Sequence, residues 1–254
     1  METPTSDRIQ FANAPGEVRS DIAAAHARFW QRLASAGTWW SGTERVAIAA
    51  QTRAAMGCKL CDSRKQALSP TAIDGEHDGS LHSHGLLTDA TVDVIHRITS
   101  DSSRLGRTWF EKVQADGLGD THYVELLGIV VAMVSIDAFC RGLGTPLHPL
   151  PDPVSDKAPS RLRPASARED GAWVPMIPSD EAKGSEADLW SGRAPNVFRA
   201  MSLVPDAVRD LKYLLAAHYL EMGKVGDPSA SRTLSRPQIE LIAGRVAALN
   251  ECFY

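Results

Sequence analysis

The chain has 254 residues, a formal net charge of -4 and a sequence isoelectric point of about 6.1. This length suits one large domain or two small ones. A mildly acidic composition without basic runs argues against nucleic acid or an anionic membrane surface as the main partner. The N-terminal residues lack the basic and apolar regions of a signal peptide, so we expect a cytoplasmic protein.

The spacing of the apolar residues predicts an all-α protein. Apolar residues recur mostly at intervals of three and four positions, which places them on one face of a helix. Ser41 with Glu44, and Ser235 with Gln238, match the pattern of a helix capping box. The predicted helices cover residues 17–33, 41–58, 89–98, 105–115, 120–143 and 205–222, and a last helix starts at residue 235.

The most hydrophobic segment covers residues 123–139 and contains two acidic side chains, Glu125 and Asp137. Acidic residues at these positions favour a buried helix over a membrane span, and we expect no membrane partner. The two carboxylates are expected to bond to neighbouring helices, with the lining of a pocket as the alternative.

A change of composition divides the chain into three expected parts. Nine of the 15 prolines lie between Pro146 and Pro195, so residues 145–194 are predicted to form an extended connection. It would separate a helical module at 1–144 from a second one at 195–254. In both, a glutamate opens a helix that leads toward a cysteine, which suggests an internal repeat.

Cys58 and Cys61 form a Cys-x-x-Cys pair. Two thiols at this spacing can close a small disulfide, and a helix N-terminus lowers the pKa of a thiol there. A redox pair is the favoured interpretation. A zinc site is an alternative, with His82 and His84 as the other two ligands. Two ordinary buried thiols are a third.

The C-terminal segment carries the most specific motif. Asn250, Cys252 and Tyr254 follow the spacing Asn-x-Cys-x-Tyr, and Glu240 precedes Cys252 by twelve residues. This segment resembles the N-x-C-x-Y-C motif of the alkylhydroperoxidase D/carboxymuconolactone decarboxylase family. The resemblance implies an AhpD-like helical bundle and a second redox residue directly after Tyr254. Some relatives look like selenoproteins, so we expect selenocysteine at that position and a second module cut short there.

Residues 40–144 resemble the same family more loosely. Glu44 lies fourteen rather than twelve residues before Cys58, and Lys65 stands where the family has a proton-shuttling histidine. His96, on a predicted helix, is the candidate for a substitute base.

The two glutamates can act on their cysteines only if the chain folds back. Twelve helical residues span about 18 Å and fourteen span about 21 Å. Gly57 and Asn250 stand where breaks in the helices are expected. Without such breaks, Glu44 and Glu240 are surface or capping residues.

The resemblance implies reduction of peroxides or disulfides. Cys252 or the residue after Tyr254 would attack a peroxide, Glu240 would promote deprotonation, and an external dithiol would restore the enzyme. Cys58 and Cys61 would act as an auxiliary pair. We expect a homo-oligomer, no cofactor and no metal. The alternatives are an inactive structural or binding member of the family and a zinc-binding protein.

Overall fold

The computed structural model describes residues 9–77, 85–154, 157–190, 194–250 and 252. Within these residues the protein has nine α-helices, a few short 3₁₀ turns and no β-strand, so the prediction of an all-α fold is confirmed. The helices are α1 (Ser20–Ala34), α2 (Gly42–Ala55), α3 (Lys59–Gln66), α4 (Asp89–Asp101), α5 (Arg107–Ala115), α6 (Asp120–Gly142), α7 (Asn196–Arg199), α8 (Pro205–His218) and α9 (Arg236–Leu249).

Both predicted capping boxes are present. The Ser41 hydroxyl accepts the backbone N–H of Glu44, and the Glu44 carboxylate accepts the backbone N–H of Ser41 at 2.8 Å. Ser235 and Gln238 make the same exchange at the start of α9. These reciprocal bonds satisfy N–H groups that a helix start otherwise leaves without partners.

The helix predicted over residues 41–58 ends three residues early. Helix α2 ends at Ala55, the chain turns through Gly57, and α3 begins at Lys59 with Cys58 as its N-cap. The break at Gly57 is therefore confirmed. It changes the chain direction directly before the Cys-x-x-Cys pair, which places both cysteines at the start of a new helix.

One hydrophobic core contains most of the helices. Helix α2 packs against α4 and α6, and α8 packs against α1 and α6. The core runs along the chain from Ile22 to Ala217 and includes Val174 and Ile177 from the proline-rich segment. One core thus contains residues from both sides of the boundaries expected at residues 144 and 195, and the division into modules stays a prediction. The prolines keep the segment irregular, because they lack an N–H group, while its apolar side chains still enter the core.

Helix α9 lies outside this core and has no buried residue along its described length. Glu240 on α9 accepts a hydrogen bond from the Tyr219 hydroxyl and pairs with Arg236 at 2.7 Å. Leu241 and Leu249 are 74% and 66% exposed. This helix is attached by polar contacts, and its membership in a second module stays a prediction.

Helix α6 is long and apolar enough to cross a membrane by length and composition alone, with a mean hydropathy of 1.9. In the fold, 61% of its apolar window is buried, and it contacts α2 and α8. A helix covered in this way has the pattern of a core helix in a soluble protein.

Two arginines of α2 bond to the two acids of α6, as expected for these acids. Arg45 pairs with Glu125 where both side chains are about 5% exposed, and Glu125 also accepts the Trp39 backbone N–H at 2.6 Å. Arg53 binds both oxygens of Asp137, each at 2.8 Å. The two ion pairs join α2 to α6 at two points along their length.

Replacing Glu125 with glutamine tests how much the pair between Arg45 and Glu125 contributes to stability. The change leaves the Arg45 guanidinium buried without its counter-charge, so the free energy of unfolding should fall by about 3–5 kcal/mol. Urea unfolding at neutral pH measures it.

The matched control is Lys112→Ala, which breaks the exposed i,i+4 pair between Lys112 and Asp116 on α5. That change should cost less than about 1 kcal/mol. Equal losses in the two variants would contradict the structural importance of the buried pair.

Candidate metal centre

Two cysteines and two histidines meet beside α3. Cys58 and Cys61 come from the start of α3, His77 from the loop after it, and His96 from α4. One donor atom of each residue lies within 4.8 Å of the donor atoms of the other three. Cys58, Cys61 and His96 are at most 2% exposed, and the His77 side chain is 7% exposed.

Local structure explains why the two sulfur atoms lie together. Cys58 is the N-cap of α3 and Cys61 lies one turn later, so the pair shares one side of the helix start. Free N–H groups of the first turn and the helix dipole favour a thiolate at this end. Neither cysteine is in a disulfide.

The distances match the edges of a tetrahedral zinc site. The His77 Nδ1 atom lies 3.6 Å from the sulfur of Cys58 and 3.6 Å from that of Cys61. The His96 Nδ1 atom lies 3.3 Å from the Cys61 sulfur. With zinc–sulfur bonds of about 2.3 Å and zinc–nitrogen bonds of about 2.0–2.1 Å, tetrahedral angles separate sulfur and nitrogen by about 3.6 Å.

Each histidine is held by a hydrogen bond at its other ring nitrogen. His77 Nε2 lies 2.9 Å from Asp93 Oδ1, and His96 Nε2 lies 3.1 Å from Gln51 Oε1. Because these oxygens only accept, each Nε2 carries the proton. Both Nδ1 atoms thus face the cysteines, an arrangement typical of the supporting residues around metal-bound histidine.

The charge on His77 is coupled to the thiols. Burial lowers the pKa of His77, but the Asp93 carboxylate and the two cysteines outweigh that effect and raise it to about 10. Burial raises the pKa of Asp93, and its contacts with His77 and Arg64 lower it below the usual range. The proton on His77 and the charge on the two sulfur atoms are therefore linked, and a metal ion bound at Nδ1 would displace that proton.

The structure brings together three of the residues that the sequence singled out, Cys58, Cys61 and His96. His77 was missed, although the spacing Cys-x2-Cys-x15-His matches the first three ligands of many zinc sites. His82 and His84, the ligands first proposed for zinc, lie outside the described residues.

The remaining predicted residues lie elsewhere. Glu44 is in the capping box at the far end of α2, about 16 Å along that helix from its C-terminus. Glu240 binds Tyr219 and Arg236 on the exposed side of α9. Cys252 is exposed, and its backbone N–H donates to Ala247 at 2.9 Å. No described contact joins either glutamate to a cysteine.

No protein-family model, no curated protein and no solved structure matches this chain. The resemblance to the alkylhydroperoxidase D family therefore rests on the short motifs alone and stays a prediction.

Burial makes the four thiols chemically distinguishable. Cys58, Cys61 and Cys140 are buried and Cys252 is exposed, so a thiol reagent added to the native protein should label Cys252 fast and the others only after unfolding. Mass spectrometry of labelled peptides measures the order. The variant Cys252→Ser should lose the fast phase. Fast labelling of Cys58 or Cys61 in the native protein would contradict this burial.

Proposed function

We propose that this protein binds one zinc ion through Cys58, Cys61, His77 and His96, as a structural centre. The observation that carries the proposal is the agreement of the sulfur–nitrogen distances, 3.3–3.6 Å, with those of a tetrahedral site. Four protein ligands leave no open coordination position, and closed sites of this kind hold a fold together.

The donor atoms select the metal. Two sulfur and two imidazole nitrogen atoms in a tetrahedral arrangement are typical of zinc, whereas magnesium and calcium require oxygen ligands. No carboxylate belongs to the four-residue cluster. Asp93 and Gln51 act as positioning residues, because each binds the ring nitrogen that faces away from the metal.

The segment around α3 buries few apolar residues, so a crosslink would stabilise it. It has its own small hydrophobic cluster of Cys58, Leu60 and Cys61, with Ile73 packed against it, apart from the main core. Helix α3 has eight residues, fewer than the roughly 12–15 that an isolated helix needs for stability. A metal bond to α4 supplies stability that this small cluster cannot.

A second candidate function is thiol redox chemistry at the same pair. The His77 imidazolium, hydrogen-bonded to Asp93, would stabilise a thiolate at Cys58 or Cys61. A peroxide would oxidise that thiolate, the other cysteine would form the disulfide, and an external dithiol would reduce it. Burial of both sulfur atoms limits access by a peroxide, so the zinc centre is the better supported function.

Metal analysis tests the proposal directly. Protein purified without chelators, or refolded with zinc, should contain about one zinc ion per chain, as four-ligand structural sites do. Cys61→Ser should lose the ion. Protein that holds no zinc and instead forms a Cys58–Cys61 disulfide with peroxide would favour the redox function.

Two aspartates of α4 give a matched pair of variants for the same measurement. Asp93→Asn keeps all four ligands but weakens the support of His77, so zinc affinity should fall by about 10–100-fold. Asp89→Asn, an exposed position one turn earlier on α4, should leave the affinity unchanged. Equal effects of the two changes would contradict the positioning role of Asp93.

A further inference from the structure

A second group of metal-ligating side chains lies deep in the main core, away from α3. His26 comes from α1, Cys140 from the last turn of α6, and His148 from the segment that follows α6. Their exposures are 0%, 0% and 4%. His148 Nε2 lies 3.1 Å from His26 Nδ1 and 3.5 Å from the Cys140 sulfur.

A chain of polar side chains continues from His26 on the side away from Cys140 and His148. His26 Nε2 lies 2.8 Å from His218 Nε2, and His218 Nδ1 lies 3.0 Å from the Ser135 hydroxyl. When His26 donates to His218 and His218 donates to Ser135, the His26 Nδ1 lone pair faces Cys140 and His148. This repeats the support seen at the first site, where an acceptor holds the outer ring nitrogen.

The surroundings of the trio are aromatic. The ring centroids of Phe11 and Phe139 lie 5.4 Å and 5.6 Å from that of His26. The ring centroid of Trp30 lies 5.5 Å from that of His148. The charged groups that act on His148, Arg53 and Asp137, are paired with each other.

Burial also controls the protonation of the trio. It lowers the pKa of His26 to about 3, with further lowering by His218 and His148, and it raises the pKa of Cys140. Both shifts favour the uncharged form of the side chain.

The balance of charge selects the ion. A monovalent cation with the Cys140 thiolate forms a neutral unit, whereas a divalent cation leaves a net positive charge in an apolar core, at high desolvation cost. Thiolate and imidazole ligands bind monovalent copper well, and two histidines with one cysteine are a known copper donor set.

We propose that His26, Cys140 and His148 form a three-coordinate site for a monovalent copper ion. If a trigonal ion makes bonds as long as those of zinc to nitrogen and sulfur, the donor atoms must lie about 0.3–0.5 Å further apart than they do in this structure. Binding replaces the Cys140 thiol proton, which leaves as the thiolate bonds to the metal, and the oxidation state of copper does not change.

Anaerobic titration of the zinc-loaded full chain with copper(I), in competition with the chromophoric chelator bicinchoninate, tests the site. We expect one copper ion per chain, no release of zinc, and a loss of affinity of more than about 100-fold in Cys140→Ser. The exposed-cysteine variant Cys252→Ser should bind as the unaltered protein does.

X-ray absorption at the copper edge needs no variant and keeps the test valid if Cys140→Ser folds poorly. The proposal expects one sulfur and two nitrogen neighbours. Two sulfur neighbours with release of zinc would place the copper at Cys58 and Cys61 and overturn the proposal. Failure to retain copper against the chelator, or equal retention by Cys140→Ser, would make the trio a hydrogen-bonded packing cluster only and would also overturn it.

Discussion

The attachment of α2 to α6 through two buried or half-buried ion pairs is the constraint from which the rest of the arrangement follows. Arg45 and Arg53 bond to Glu125 and Asp137, so two separate contacts oppose sliding or rotation of α2 against α6. Gly37 belongs to this contact, because a Cβ atom there would overlap the Glu125 carboxylate and the Arg45 guanidinium. A buried charge without its partner is costly, which makes the position of α2 specific.

The position of α2 determines where the candidate zinc centre lies. Gln51 on α2 orients His96, and the end of α2 at Ala55 sets where the chain turns toward Cys58. On the other side, α4 supplies both His96 and Asp93, the partner of His77. The main core thus holds Gln51 and Asp93, which orient the two histidines, and a bound metal would fix the weakly packed segment around α3. Under the proposed function, folding of that segment would be coupled to metal binding.

The sequence predicted what local rules control. Helical periodicity, both capping boxes and the break at Gly57 depend on neighbours within a few residues, and all three are present. Bonds from Glu125 and Asp137 to a neighbouring helix were also expected, since acids in a buried helix need partners, but the sequence did not identify Arg45 and Arg53 as those partners. His77 was not, because it lies in a loop without periodicity and its role arises only when α3 folds back onto α4. The packing of α8 on α1 was missed for a similar reason, since a proline-rich segment hides a long-range contact from any local pattern.

Zinc-edge X-ray absorption of the protein loaded with one equivalent of zinc tests the central claim most directly. The account predicts two sulfur neighbours at about 2.3 Å and two nitrogen neighbours at about 2.0–2.1 Å. That result would assign the ion to Cys58, Cys61, His77 and His96 as a closed centre. A shell of oxygen and nitrogen without sulfur would contradict the account, because zinc would then be bound away from the Cys-x-x-Cys pair.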